Sequence, residues 1–130
     1  MKYLLDTNTI IALFKGNKLF VDRLRSHHVR DFGISSIVVH ELLYGAYKSQ
    51  RQSENLERVA KLQFEVVNFT LNDARWAGSL RAQLAKNGLL IGPYDILIAG
   101  QAVSRNLTLL SNNIREFQRI EELKIEGWTV

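Results

Sequence analysis

The sequence predicts an α/β fold in which helices flank a small, largely parallel β-sheet. The first observation is alternation. Short apolar segments, such as Tyr3–Leu5 and Thr108–Leu110, each precede or follow a stretch with apolar residues at helical spacing. The second observation is the position of residues that terminate helices, because Gly16 and the pair Asn87–Gly88 lie where such stretches end. Alternating strands and helices of this kind are typical of a parallel sheet covered by helices.

Length and composition predict one domain that spans residues 1–130, with 46% hydrophobic residues. The absence of cysteine excludes disulfides, thiolate zinc sites and cysteine nucleophiles. No apolar run approaches the ~20 residues of a membrane span. The first apolar stretch stops at Asp6, so the start of the chain lacks the layout of a signal peptide. We therefore expect a cytoplasmic protein that does not contact a membrane.

The net charge of +4 and the pI near 9.6 reflect a modest basic excess that is unevenly distributed. One basic cluster lies between Arg23 and Arg30, and Lys48 and Arg51 form another. Such clusters either neutralise phosphates or form an ordinary solvated helix face, and the sequence leaves both interpretations open. If several acids gather in one pocket, the remaining surface is more basic, which favours an anionic partner.

In the first half of the chain, the pattern predicts a strand that ends at Asp6 and a helix from about Asn8 to Phe14. A second apolar stripe follows over residues 20–24. The segment Phe32–Ser35 is predicted to be a strand, and Ser36 is the expected N-cap of the next helix.

In the second half, Phe64–Phe69 is predicted to be a strand that is apolar on both faces. Thr70 and Asp73 have the spacing of a capping box, which is a sufficient structural role for Asp73. Pro93 should begin a closely packed helix, since a missing N–H costs nothing there. Lys124–Glu126 is a candidate edge strand.

Carboxylates recur near the ends of the predicted strands or in the helices that follow, at Asp6, Glu41, Asp95 and Glu116. In a parallel sheet these positions meet at one edge, where such folds bind their ligands. Each acid also has a structural interpretation. Asp6 can cap a helix, Glu41 and Asp95 can balance helix dipoles, and Glu116 has capping-box spacing from Asn113. Recurrence at four segments favours a functional site.

Gathered carboxylates repel each other unless a cation is present. Ligation by oxygen alone favours Mg²⁺ or Mn²⁺ over zinc, and a basic surround suits metal-dependent hydrolysis of phosphodiesters. A glycine-rich phosphate loop and a serine hydrolase elbow are both absent from the sequence, and its histidines lack a metal-ligand pattern. Phosphoryl transfer to Asp6 stays open as a weaker alternative.

Several segments resemble the motifs of PIN domains, and of their VapC-type toxins in particular. Leu4–Asn8 resembles the opening motif and Ser35–Gly45 the second. Ile91–Gly100 resembles the third motif and Ser111–Phe117 the fourth, in family order and spacing over nearly the whole chain. The resemblance implies a three-layer PIN-like domain with a small parallel sheet. It also implies a Mg²⁺- or Mn²⁺-dependent ribonuclease, a homodimer and a VapB-type antitoxin partner, with a larger assembly on DNA through that antitoxin.

By position in these motifs, Asp6 and Asp95 are implied as the principal metal ligands, and Glu41 as the group that holds the ion or its water. Many PIN domains have aspartate where Asn113 stands, which makes Glu116 the surviving acid of the fourth motif. The resemblance further implies that four residues orient the ligands: Thr7, Asn8, Ser36 and Asn113.

Many VapC-type toxins cut structured RNA such as tRNA and thereby stop translation, and this is the expected activity. The alternative is a catalytically weak relative that acts mainly as the partner of a DNA-binding antitoxin in transcriptional autoregulation. The retained acids favour the nuclease.

Overall fold

The fold is built on five parallel strands, seen in a computed structural model that describes residues 1–129. Val130 lies outside the described residues, so the predicted domain of residues 1–130 stays a prediction. The strands within the described part are β1 (Tyr3–Leu5), β2 (Phe32–Ser35), β3 (Glu65–Val67), β4 (Thr108–Leu110) and β5 (Lys124–Glu126). Their order across the sheet is β3-β2-β1-β4-β5.

Helices connect these strands throughout residues 1–129. They are α1 (Thr7–Phe14), α2 (Lys18–Arg25), α3 (Ser36–Tyr47), α4 (Gln52–Ala60), α5 (Leu71–Lys86), α6 (Pro93–Ser104) and α7 (Ile114–Phe117), with a 3-10 turn at Val29–Asp31. From β1 the chain adds β2 and β3 on one side, and then crosses to add β4 and β5 on the other. Because parallel crossovers are right-handed, this reversal puts helices on both faces of the sheet. The predicted three-layer α/β architecture is confirmed.

The reversal of strand order lies between β1 and β4, which are hydrogen-bonded in the register Leu5 to Leu110. A doubly wound sheet opens a crevice at this switch point, outside the carboxyl ends of the strands. Asp6 and Ser111 are the residues that follow β1 and β4 directly, and both are buried. The topology therefore places a buried carboxylate at the position where such folds bind ligands.

The core that supports this edge is formed by the apolar strands and the inner helix faces. Leu4, Leu5, Leu109 and Leu110 are 0% exposed. Helix α6 packs closely on α5, since a Cβ added to Gly100 would lie 2.6 Å from the Cα of Ala77. The predicted central, closely packed helix is confirmed. Within residues 1–129, none of the helices has the length and apolar character that crossing a bilayer requires.

Two sequence-based assignments are wrong in detail. The N-cap of α3 is Ser35, whose side chain accepts a hydrogen bond from the amide of Ile37, and Ser36 is already the first helical residue. The third strand covers only Glu65–Val67, and Val66 is 48% exposed. Because β3 lies at the edge of the sheet and pairs only with β2, its outer positions need not be apolar.

Other boundaries agree closely with the sequence. Strands β2, β4 and β5 have the predicted limits, and α6 begins at Pro93 as expected. Helix α1 starts at Thr7, one residue before the predicted start. Thr70 and Asp73 form the predicted capping box at the start of α5.

Candidate active site

Asp6 lies at the centre of the candidate site, 4% exposed, between β1 and α1. Its Oδ1 accepts a hydrogen bond of 2.9 Å from the amide of Thr9, so the predicted capping role is confirmed. Burial raises the pKa of the Asp6 carboxyl, although hydrogen bonds from Ser111 and Thr9 favour its charged form. A cap at a helix start needs no such burial. The environment therefore gives this carboxylate a property that capping does not explain.

Asp95, in the first turn of α6, shows that the predicted acids lie near one another. Burial raises the pKa of the Asp95 carboxyl to about 6, and the negative charges of Asp6, Glu41 and Glu116 add to the shift in that order. Like charges act on each other in this way only at short range. The structure therefore brings the four predicted carboxylates to one edge of the sheet.

Glu41 is half-buried in the second turn of α3 and is oriented by a contact from another helix. The hydroxyl of Thr7, the first residue of α1, donates a hydrogen bond of 2.9 Å to Glu41 Oε1. A fixed carboxylate loses less conformational freedom when it binds a cation. Thr7 thus makes the kind of contact predicted for an orienting residue.

Asn113 and Glu116 contact each other at the start of α7, but they do not form the capping box that their spacing suggested. The Asn113 side-chain amide donates to Glu116 Oε2 over 3.1 Å, and the Asn113 backbone amide donates to Ser111 Oγ over 2.9 Å. Asn113 has φ −91° and ψ 53° and makes no side-chain cap bond. This backbone conformation differs from that of an ordinary N-cap, so the amide side chain instead fixes the Glu116 carboxylate.

A groove of about 240 Å³ adjoins the carboxylates between α1, α3 and α4. Its lining is largely apolar and includes Ile11, Phe14 and Leu42, and Thr7 and Glu41 also line it. Lys15 and Arg58 line the same groove. The acidic site is therefore continuous with a largely apolar channel that carries positive charge.

Comparison with known proteins assigns the family. The model of the PIN domain matches residues 3–123. The chain belongs to the PIN-domain family. It is 40% identical to the tRNA(fMet)-specific endonuclease VapC of Salmonella typhimurium, with 98% of each chain covered. It is 37% identical to Ribonuclease VapC2 of Haemophilus influenzae, again with 98% of each chain covered.

Solved structures agree with this assignment. The DNA-bound VapBC complex of Salmonella typhimurium contains a chain with 41% identity and a TM-score of 0.93, with 98% of each chain covered. VapBC2 of Rickettsia felis, bound to a DNA fragment from its promoter, gives 36% identity and a TM-score of 0.91, with 98% of this chain and 99% of that chain covered. The predicted membership of the PIN-domain family, in its VapC-type branch, is confirmed.

The donor set of this PIN domain fits a hard divalent cation. The predicted acids offer only oxygen, and the pKa of Asp95 is raised by burial and then by the negative charges of Asp6, Glu41 and Glu116. Within residues 1–129, no three acidic or histidine side chains already form a compact metal cage.

The structure distinguishes the other predicted orienting residues. The Ser36 hydroxyl accepts a hydrogen bond of 3.2 Å from the amide of Phe69, so it ties α3 to the end of β3. Asn8 is exposed on the first turn of α1. Sequence reasoning missed Ser111, whose side chain hydrogen-bonds Asp6, and Thr9, whose amide donates to Asp6 Oδ1 and whose hydroxyl donates to the carbonyl of Leu110. The available signal for Ser111 was its position directly after β4, which matches that of Asp6 after β1.

Proposed function

We propose that this protein is the toxin of a type II toxin–antitoxin pair and acts as a metal-dependent endoribonuclease. The class of toxin ribonuclease agrees with relatives named as VapC ribonucleases at 37 to 40% identity over nearly the full chain. One observation in the structure carries the proposal. Asp6 is buried directly after β1 at the switch point of the sheet, and the hydroxyl of the next residue, Thr7, donates a hydrogen bond of 2.9 Å to Glu41 Oε1, so that carboxylates from two segments lie at this edge. The pKa of Asp95, raised to about 6 by burial and by the charges of Asp6, Glu41 and Glu116, agrees with this arrangement.

We propose Mg²⁺ or Mn²⁺ as the cofactor, with Asp6 and Asp95 as its principal ligands and Glu41 as holder of the ion or its water. When bound, the cation would polarise the scissile phosphate and favour attack by water. The chain itself contributes orientation. Thr7 fixes Glu41 Oε1, and the Thr9 amide fixes Asp6 Oδ1. Glu116, held by Asn113, would add negative charge at the rim of the site.

We propose tRNA as the substrate class and a VapB-type antitoxin as the partner. Relatives named tRNA(fMet)-specific endonuclease support the first, and VapBC complexes with similar toxin chains support the second. The groove beside Glu41 offers an apolar surface that leads to the carboxylates, which suits a partner segment carrying an arginine. Cytoplasmic location, a homodimer and assembly on DNA through the antitoxin stay predictions.

The test is Asp6→Asn. Asparagine is also a good N-cap, so α1 and the fold should survive while the charge is lost. Brief induction of the wild-type protein, followed by sequencing of cellular RNA ends, should give a dominant new end in tRNA that the variant does not produce. Asp22→Asn, the same change at an exposed position of α2, should cleave like wild type.

Cleavage by purified, metal-free protein in the presence of a chelator would refute the metal-dependent mechanism. The alternative of a catalytically weak antitoxin partner predicts a different result. Expression without the antitoxin would then give neither new RNA ends nor growth arrest.

A further inference from the structure

Two exposed rings stand at the rim of the acidic site, on different helices. His40 precedes Glu41 on α3, and Tyr94 precedes Asp95 on α6. Their ring centroids are 5.3 Å apart and their planes are inclined at 54°. Because the rings are tilted, neither covers the face of the other, and Tyr94 remains 46% exposed. Aromatic faces are thus open to solvent beside the proposed scissile position.

The aromatic surface continues along α3 away from the acids. Tyr44 lies one turn after His40 and is 61% exposed, and the Lys48 ammonium lies 4.8 Å from the centre of its ring. Residues four apart share a helix face, so His40, Tyr44 and Lys48 form one row. The row begins at His40, beside carboxylates that could bind a metal ion, and ends at Lys48, whose ammonium could bind a phosphate.

The backbone sets where two of the rings, those of His40 and Tyr94, are attached relative to the carboxylates. Pro93 at the start of α6 restricts the conformation of the chain directly before Tyr94. Tyr94 and Asp95 are consecutive residues of the same first turn, as His40 and Glu41 are consecutive residues of α3. A group that contacts these rings therefore contacts residues that are adjacent in the chain to those that carry the carboxylates.

We propose that His40, Tyr94 and Tyr44 form a stacking surface for unpaired nucleotides that flank the scissile phosphate. The inference rests on the proposed function and adds the side chains that would contact the bases beside the scissile phosphate. Bases buried in a helix cannot reach an aromatic face, whereas splayed bases of loops stack on tyrosine and histidine. Lys48 then contacts the backbone of the strand that leaves the site.

The test measures binding rather than cleavage and uses full-length protein carrying Asp6→Asn. The probes are a synthetic RNA hairpin, with a fluorescent adenine analogue in its loop, and a fully paired duplex of the same composition. The parent should bind the hairpin more tightly and quench the fluorophore by stacking. Tyr94→Leu should weaken hairpin binding by about 5- to 100-fold and reduce the quenching, with little effect on duplex binding.

Matched variants separate stacking from general damage. Tyr94→Phe keeps the ring and should retain both affinity and quenching. Trp76→Leu removes an exposed ring from α5, and its neighbour Ala77 packs on Gly100 in the carboxyl half of α6. Trp76 therefore lies away from Tyr94, and its loss should leave binding unchanged.

The stacking surface would be overturned if Tyr94→Leu and Trp76→Leu lost the same amount of hairpin affinity, or if Tyr94→Leu left the quenching unchanged. If the wild-type protein cleaves RNA in the same preparation, the nuclease proposal survives that result. If the parent binds no RNA and the wild-type protein cleaves none, both proposals are overturned. A Tyr94→Leu protein that loses antitoxin binding but binds RNA normally would assign the rings to a protein interface instead.

Discussion

Replacing Asp95 by asparagine should stabilise the metal-free protein while abolishing cleavage. Burial and the charges of Asp6, Glu41 and Glu116 raise the pKa of Asp95 from 3.8 to about 6. The folded chain therefore keeps this proton at a pH where the unfolded chain has lost it. Stability is higher while Asp95 is protonated and falls as the pH rises from about 4 to about 6. Asparagine cannot ionise, so the free energy of unfolding of the variant increases relative to that of wild type over the same pH interval.

The size of this increase in stability follows from the pKa shift of Asp95. Each pKa unit corresponds to about 1.4 kcal/mol, so a shift of about two units gives an upper bound near 3 kcal/mol. Asp95 is partly exposed, and solvent screens its neighbours. We therefore expect Asp95→Asn to raise the free energy of unfolding by about 1 to 2 kcal/mol at about pH 7.5, and by little at about pH 4.

Urea denaturation in chelator, at these two pH values, measures the effect. Asp22→Asn is the control, since it makes the same chemical change at an exposed position of α2. Addition of Mg²⁺ should stabilise wild type, because a bound cation offsets the repulsion, and should stabilise Asp95→Asn much less. An asparagine variant that is equally stable or less stable than wild type at about pH 7.5 would refute the electrostatic reasoning.

Two other substitutions test the site and its support. Thr7→Val removes the hydrogen bond to Glu41 Oε1, so cleavage should need about tenfold more Mg²⁺, whereas Thr7→Ser keeps the hydroxyl and should need as much as wild type. The measurement is a Mg²⁺ titration of cleavage, and an unchanged affinity for Mg²⁺ in Thr7→Val would exclude an orienting role. Gly100→Ala puts a Cβ 2.6 Å from the Ala77 backbone and should destabilise the fold by about 1 to 3 kcal/mol in urea denaturation. Gly78→Ala on α5 meets nothing within 4 Å and should stabilise by up to about 1 kcal/mol, so equal effects at the two glycines would contradict the packing argument.

The sequence predicted the sheet and the position of its acids because both depend on short-range patterns. Apolar runs of three or four residues, each stopped by a polar residue, marked β1, β2 and β4. Parallel pairing then brings the ends of those strands together without any further information. The gathering of Asp6, Glu41, Asp95 and Glu116 followed from that single inference.

The details that the sequence did not predict depend on contacts between distant segments. Ser35 and Ser36 are equivalent as local caps, but Ser35 pairs with Val67 in the sheet and has the extended backbone of a cap, with φ −63° and ψ 142°. Asn113 had capping-box spacing, yet its backbone conformation directs its amide to Glu116 instead. The ring pair of His40 and Tyr94 joins two helices that are far apart in the chain. Periodicity within one segment contains no information about such pairs.

A comparison of two carboxylates shows how the neighbouring charges distinguish the site. The Asp73 side chain is 1% exposed, and burial alone would raise its pKa, yet hydrogen bonds from Thr70, Ser104 and Arg105 hold that pKa below the usual value. Its carboxylate lies 3.1 Å from the Arg105 guanidinium. At Asp95 burial also raises the pKa, and the neighbouring charges are those of acids, Asp6, Glu41 and Glu116, which raise it further. A fold gains nothing in stability from such an arrangement. The carboxylates that lack a cation within the chain are therefore those expected to bind one from outside it.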